Sequence, residues 1–275
     1  MAVSVLYLLL SALVLVAAKP RTTEWDTRSS PGGRNARVVD GYDAGVGQFP
    51  HQALVLCDGS SICGGALITR TAVLTRARCI DYHTSWTVRL GGIHRTQEER
   101  TAWIEVATWA VVHPNYNTTA YLSDNVAILF LPAEAPLNSF INVVALPSFL
   151  EVNETFAGQT AVVSGWGLTN TSATCCPEVL QWTEVTVIPN SACTQYYEPG
   201  RIIGSTLCAG NEYTGMCPGD YGSALVIKTA EGYKAIGVTS FVPDGGCGTA
   251  GAPAAYTRVT SVLDWITTTA GISAK

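Results

Sequence analysis

Charge is scarce in this chain: Asp, Glu, Lys and Arg make up 13% of its 275 residues. Histidine is scarcer, with four copies scattered without ligand spacing, so no metal and no cofactor is expected. There is no basic excess either. The formal net charge of −5 offers nothing to a phosphate backbone, which excludes a nucleic-acid partner. No stretch approaches the roughly 20 apolar residues that a membrane helix needs, so no membrane partner is expected. Disorder is excluded as well, because 47% of the residues are apolar. What the chain does have is 26 Gly, 13 Pro and nine Cys, an odd number of thiols.

The first segment reads as targeting rather than fold. Val5 to Val16 is an apolar run followed by Ala17-Ala18, too short to span a bilayer and ending on small residues suited to cleavage. Residues 1–18 are therefore expected to be a signal peptide. The head of the run lacks Lys or Arg, which leaves an uncleaved anchor as the alternative. Residues 19–37 are polar, rich in Gly, Ser, Pro and Arg, and read as a pro-segment or an exposed tail. Export makes the protein secreted and extracellular, where disulfides are the default.

From Val38 the pattern changes to short apolar runs punctuated by Gly, Pro, Asn and Asp. Examples are Gln52–Cys57, Ala66–Thr69, Ala72–Thr75, Val126–Leu131 and Ala235–Thr239. That spacing predicts an all-β antiparallel sandwich or barrel. Only residues 259–269 have helical spacing, with Val262, Leu263, Trp265 and Ile266 on one face.

Motifs then narrow the class. Arg37-Val-Val-Asp-Gly41 resembles the activation site of the chymotrypsin/trypsin-like serine proteases. Ile62-Cys-Gly-Gly-Ala-Leu67, Ala72-Val-Leu-Thr75, Val112-His-Pro-Asn-Tyr116, Ser164-Gly-Trp-Gly167, Gly219-Asp220 and Tyr256-Thr-Arg-Val259 continue the resemblance in the family's order. It spans Val38 to Ile266. It implies a peptidase domain over 38–275 made of two packed six-stranded antiparallel β-barrels. Their expected bounds are about 38–145 and 146–258, with a terminal helix at about 259–270 and the site in the cleft between the barrels.

The same resemblance places other residues where the family has its Ser, His and Asp. Arg78 stands at the histidine position, Asn125 at the aspartate position and Tyr221 at the nucleophile position. Arginine keeps its proton at any accessible pH and cannot act as the base. A phenol with no base beside it is poorly suited to acyl transfer. Asp124 neighbours Asn125, but strand alternation should point it elsewhere. His51, His83, His94, His113 and Ser223 read as ordinary structural or surface residues. On the family's pattern the specificity pocket involves Gly215, Val242 and Ala254, the last two being side chains where the family has glycine, so a shallow pocket is expected. Arg37-Val38 keeps the look of a cleavage site, and Asp220 is the expected partner of the new amine.

By family spacing, Cys63 pairs with Cys79, Cys193 with Cys208, and Cys217 with Cys247. Cys57, Cys175 and Cys176 remain. Cys57 is expected to bond to Cys175 or Cys176, tying one side of the cleft; a vicinal Cys175–Cys176 bond with Cys57 a thiol is the alternative. Either way one thiol is left for a disulfide-linked partner or a second copy. Asn117, Asn153 and Asn170 head glycosylation sequons.

The sequence thus resembles the inactive serine protease homologues common in invertebrates. The expectation is a zymogen-like secreted glycoprotein that is not an enzyme and acts by binding proteins: proteases, inhibitors or cascade components. An active peptidase on a non-standard site, or a structural or storage glycoprotein, are the alternatives.

Overall fold

The computed structural model describes residues 41–117, 123–168, 176–211, 216–243 and 252–273. The signal and pro-segments, Arg37, Val38, Asn170, Cys175, Gly215 and Cys247 lie outside the described residues. A two-residue strand β1 (Tyr42–Asp43) precedes the first sheet. That sheet contains β2 (Gln52–Cys57), β3 (Ser61–Thr69), β4 (Ala72–Thr75), β5 (Trp86–Leu90), β6 (Trp103–Ala107), β7 (Trp109–Val112) and β8 (Ala127–Phe130). The second sheet adds β9 (Thr160–Gly165), β10 (Gln181–Ile188), β11 (Thr206–Gly210), β12 (Ala224–Thr229), β13 (Gly232–Phe241) and β14 (Ala254–Arg258).

Each sheet counts seven strands, one more than the six expected, and each extra strand has a simple origin. In the first sheet, order β6-β5-β2-β3-β4-β8-β7, β6 and β7 are one strand interrupted at Thr108. The β6 half pairs with β5 and the β7 half with β8, so the interrupted strand itself closes the barrel. In the second, β10 pairs with β9 to close six strands, and β1 is a short strap on β10. Two closed antiparallel barrels result, as the sequence led one to expect.

Burial follows from where each strand lies. β10 alternates strictly: Thr183, Val185 and Val187 are buried, while Glu184 and Thr186 are exposed. β2, β4 and β8 are buried on both faces, which is why they read as continuous apolar runs. One face of these strands (Ala53, Val55, Val73, Ala127, Leu129) fills the first barrel. Their other face (Leu54, Leu74, Ile128) meets Val162, Trp166, Ala224 and Val226 of the second barrel. A chain of buried polar groups crosses this layer: the Ser164 hydroxyl donates to Gln52 Oε1 (2.8 Å), and Gln52 Nε2 donates to Ser223 Oγ (3.1 Å). Gly64 faces Ser223 here, and a Cβ at that position would overlap the Ser223 hydroxyl.

A one-turn helix α1 (Asn190–Cys193) leads into β11. The terminal helix α2 runs Leu263–Ala270, shorter than expected, because residues 259–261 form a 3-10 turn and Val262 leaves helical geometry with φ −121° and ψ 13°. It ends on Gly271, whose φ of +67° suits glycine, and the Ile272 N–H bonds the Thr267 carbonyl at 2.9 Å. Its Leu263 and Ile266 join the layer between the barrels.

Leu54 is wholly buried in that layer, whereas Leu150 is 96% exposed. Leu54→Ala is expected to cost about 2–5 kcal/mol in denaturant unfolding, and Leu150→Ala less than about 0.5 kcal/mol.

Candidate functional site

The cleft is built where β4 ends. A 3-10 turn, Ala77–Cys79, follows it, and the Cys63–Cys79 disulfide ties that turn to β3. This presents Arg78 to solvent while its backbone N–H donates to Asn125 Oδ1 at 3.1 Å. Asn125, fully buried, donates through Nδ2 to Ser240 Oγ at 2.8 Å, and its carbonyl accepts from the Thr257 hydroxyl. An amide suits this position because it accepts on one side and donates on the other; a carboxylate could only accept. Asp124 stands half-exposed at φ +47°, where its charge acts on His113.

Tyr221 enters from the second barrel. Its carbonyl accepts the Gly64 N–H at 2.7 Å, and the next residue, Gly222, turns at φ +91°. The structure therefore does bring Arg78, Asn125 and Tyr221 to one cleft. It adds a residue that sequence reading passed over. Arg76, nine-tenths buried, lays its guanidinium 4.0 Å over the Tyr221 ring and donates through Nη1 to the Ser240 carbonyl at 2.6 Å. Burial lowers Arg76 to about 10, against the pull of the Tyr221 phenol. Burial also raises the Tyr221 phenol, which Arg76 partly offsets. The available signal was two arginines two residues apart, Thr75-Arg-Ala-Arg-Cys79, in an otherwise acidic chain. Near neutral pH, Arg78, Asn125 and Tyr221 can donate hydrogen bonds and stack, but none can take up a proton.

The pocket positions belong to the second barrel's core. Ala254, Met216 and Tyr256 are buried together, and Val242 packs against them. A shallow open depression of about 210 Å³ beside Asn125 is lined by Ser123, Asp124, Ser240, Phe241 and Tyr256.

Asp220 is fully enclosed. Its carboxylate accepts the Gly167 N–H (2.7 Å) and the Cys217 N–H (3.0 Å), yet burial outweighs both bonds and raises the group to about 6. The histidines stay out of the cleft. His51 is buried between the Phe49 and Tyr233 rings, and burial lowers it to about 4. His113 lies edge-on to Trp265, His83 contacts the Asp81 carbonyl, and His94 pairs with Val179. Ser223 is a buried member of the polar chain described above.

The cysteines require one correction. Cys63–Cys79 and Cys193–Cys208 are bonded, and Cys217 is disulfide-bonded. Cys57 is not joined to Cys175 or Cys176. It is a thiol within the first barrel's core, 3.1 Å from the Cys79 carbonyl, with burial pushing it up to about 12. β2 turns that side chain inward, opposite to the cleft-tying bond expected of it, and a buried, un-ionised thiol is no handle for a disulfide partner either. Asn117 and Asn153 are exposed.

Asp220 and His51 oppose each other in pH dependence. A carboxyl raised from 3.8 to about 6 makes the folded state hold the extra proton, so its contribution is lost as pH rises through that window. A histidine lowered from 6.5 to about 4 makes the folded state hold fewer protons, so its contribution is lost as pH falls. At 1.36 kcal/mol per pKa unit each is worth about 3 kcal/mol. Relative to wild type in its uncleaved form, Asp220→Asn should make stability change more positively from pH 4 to 6, and His51→Leu should make it change more negatively. Unfolding curves across that range check this; parallel profiles would refute it.

Comparison with known proteins accords with the fold. The model of the family described as Trypsin matches residues 38–266. The chain is 37% identical over 245 residues to a collagenase of Hypoderma lineatum, covering 87% of this chain and 89% of that protein. It is 34% identical to the brachyurin of Leptuca pugilator, covering 86% of this chain and all of that one. The solved structure of HL collagenase superposes with a TM-score of 0.77 at 34% identity, over 86% of this chain and all of that one. These findings correct the expectation that the chain is not an enzyme: proteins aligned over nearly its whole folded length include a named collagenase and several trypsins, which points to enzyme activity. By both sequence and fold, the chain belongs to the trypsin family.

Proposed function

We propose that this chain is a secreted trypsin-family protein that binds a protein partner in the cleft between its barrels, with cleavage after Arg37 selecting the binding state. The observation that carries this reading is the composition of the cleft. Arg78, Asn125 and Tyr221, which the motif order sets at the family's triad positions, are linked by hydrogen bonds to both barrels. These groups hold and orient a polypeptide by hydrogen bonding and stacking. Secretion rests on the apolar head of the chain. Among the described residues, no helix is long and apolar enough to cross a membrane. Asn117, Asn153 and Asn170 are the proposed glycosylation sites.

Asp220 supports the switch. A carboxylate held up at about 6 by burial is relieved by a cation placed beside it, and the amine freed at Val38 would be that cation. Such a buried pair selects a conformation more than it adds stability. The relatives favour a second reading, an endopeptidase whose bond cleavage runs on groups other than Arg78, Asn125 and Tyr221.

Capture of partners from native fluid with cleaved and uncleaved protein tests the proposal. Partner affinity is expected to differ between the two forms by about tenfold or more, within the usual range of coupled sites. Asp220→Asn is expected to abolish that difference. Equal binding before and after cutting sinks the switch, and stoichiometric labelling by a fluorophosphonate probe assigns the protein to the second reading.

A further inference from the structure

Among the described residues, arginines are buried at two places and settled differently. Arg89 donates to Glu99 at 2.8 Å, so its charge is met by a carboxylate. Arg76 meets a carbonyl, an aromatic face and a second arginine. Among the described residues, the groups whose charges bear on it are Tyr221, Arg78, Tyr116 and Cys57, one cation and three groups that are neutral at pH 7. Burying a guanidinium without an anion is costly, and a cation–π contact returns only part of that cost.

Among the described residues, one buried donor at this spot finds no hydrogen-bond partner, Arg76 Nε. Arg89 and Arg95 also leave Nε unbonded, but each sets its Nη2 against a glutamate, Glu99 and Glu178. Arg76 instead donates to the Ser240 carbonyl, and among the described residues no carboxylate pairs with it. Arg78, exposed at the rim, hydrogen-bonds the Tyr116 hydroxyl through its side chain, and the charge of Asp81 acts on that hydroxyl as well. Two guanidinium groups and the Tyr221 ring thus gather at one place between the barrels. An acceptor carrying negative charge would satisfy the idle donor, and charge-assisted bonds of this kind are about twice as strong as neutral ones.

We propose that this cleft is a carboxylate-recognition site, in which Arg76 and Arg78 hold an acidic group of a bound polypeptide against Tyr221. This rests on the protein-binding reading and names the chemistry of the partner. The carboxylate can come from an Asp or Glu side chain or from a chain terminus. Carboxylate geometry matches the planar fork of arginine.

Fluorescent peptides of one sequence test this with the full chain, cleaved and uncleaved. One peptide carries a central Glu with an amidated end, one Gln with an amidated end, one Lys with an amidated end, and one Gln with a free terminal carboxylate. The Glu or the free-carboxylate peptide is expected to bind at least tenfold tighter than the amidated Gln peptide, and whichever does so identifies the source. Arg78→Gln, a change at an exposed side chain, is expected to remove most of that preference. Arg76→Lys, checked for folding by its unfolding curve, should weaken it while keeping the charge. Equal affinity for all four peptides, or no binding of any, overturns the site. A preference that survives Arg78→Gln overturns the role of the arginines. Binding that depends on cleavage but not on peptide charge leaves the binding proposal standing and sinks only this one.

Discussion

Everything in the molecule is arranged around the apolar layer between the two barrels. β2, β4 and β8 are buried on both faces, so one face of each belongs to the first barrel and the other to the neighbouring one. A strand used this way cannot shift register without moving two cores at once. That constraint fixes the turn after β4 against the loop bearing Tyr221, and so fixes the cleft. Gly64 shows how close the approach is, since the second barrel's Ser223 occupies the space of its absent side chain.

The strands were legible because two-sided burial writes continuous apolar runs and one-sided burial writes alternation. Their exact number was not. The break at Thr108 and the strap at Tyr42–Asp43 are set by tertiary closure, and neither leaves a compositional mark. Cys57 failed for a related reason. Which way a cysteine faces on β2 is a matter of phase, and a cysteine left over by the family pairings was expected to bond across the cleft where strand parity supplies an interior thiol. Arg78, Asn125 and Tyr221 were legible through the family's motif order. Arg76 was not, because nothing local distinguishes a guanidinium that folds inward over a ring from one that reaches into solvent.

Family membership and site chemistry answer different questions here. The frame is that of the trypsin family over nearly all of the folded chain, and the relatives point to enzyme activity. Which groups do the work is decided by the side chains themselves. In this cleft those side chains carry positive charge and hydrogen-bond donors.

The two halves of the cleft divide the task of recognition. Met216, Ala254 and Tyr256 are part of the second barrel's core, with Val242 packed on them. Opening a deep pocket there would remove core contacts at the cost of a large-to-small substitution. Selectivity is therefore driven outward to the rim. The rim is set by Arg78 in solvent and by Arg76 just beneath it, the latter held in place by the Tyr221 ring and the Ser240 carbonyl. A ligand that meets this surface is read by its charge before it is read by its shape. On the proposed reading, two arginines gathered at one cleft give an acidic chain of net −5 a place that draws acidic groups. Steering toward the cleft and discrimination within it then come from the same two side chains.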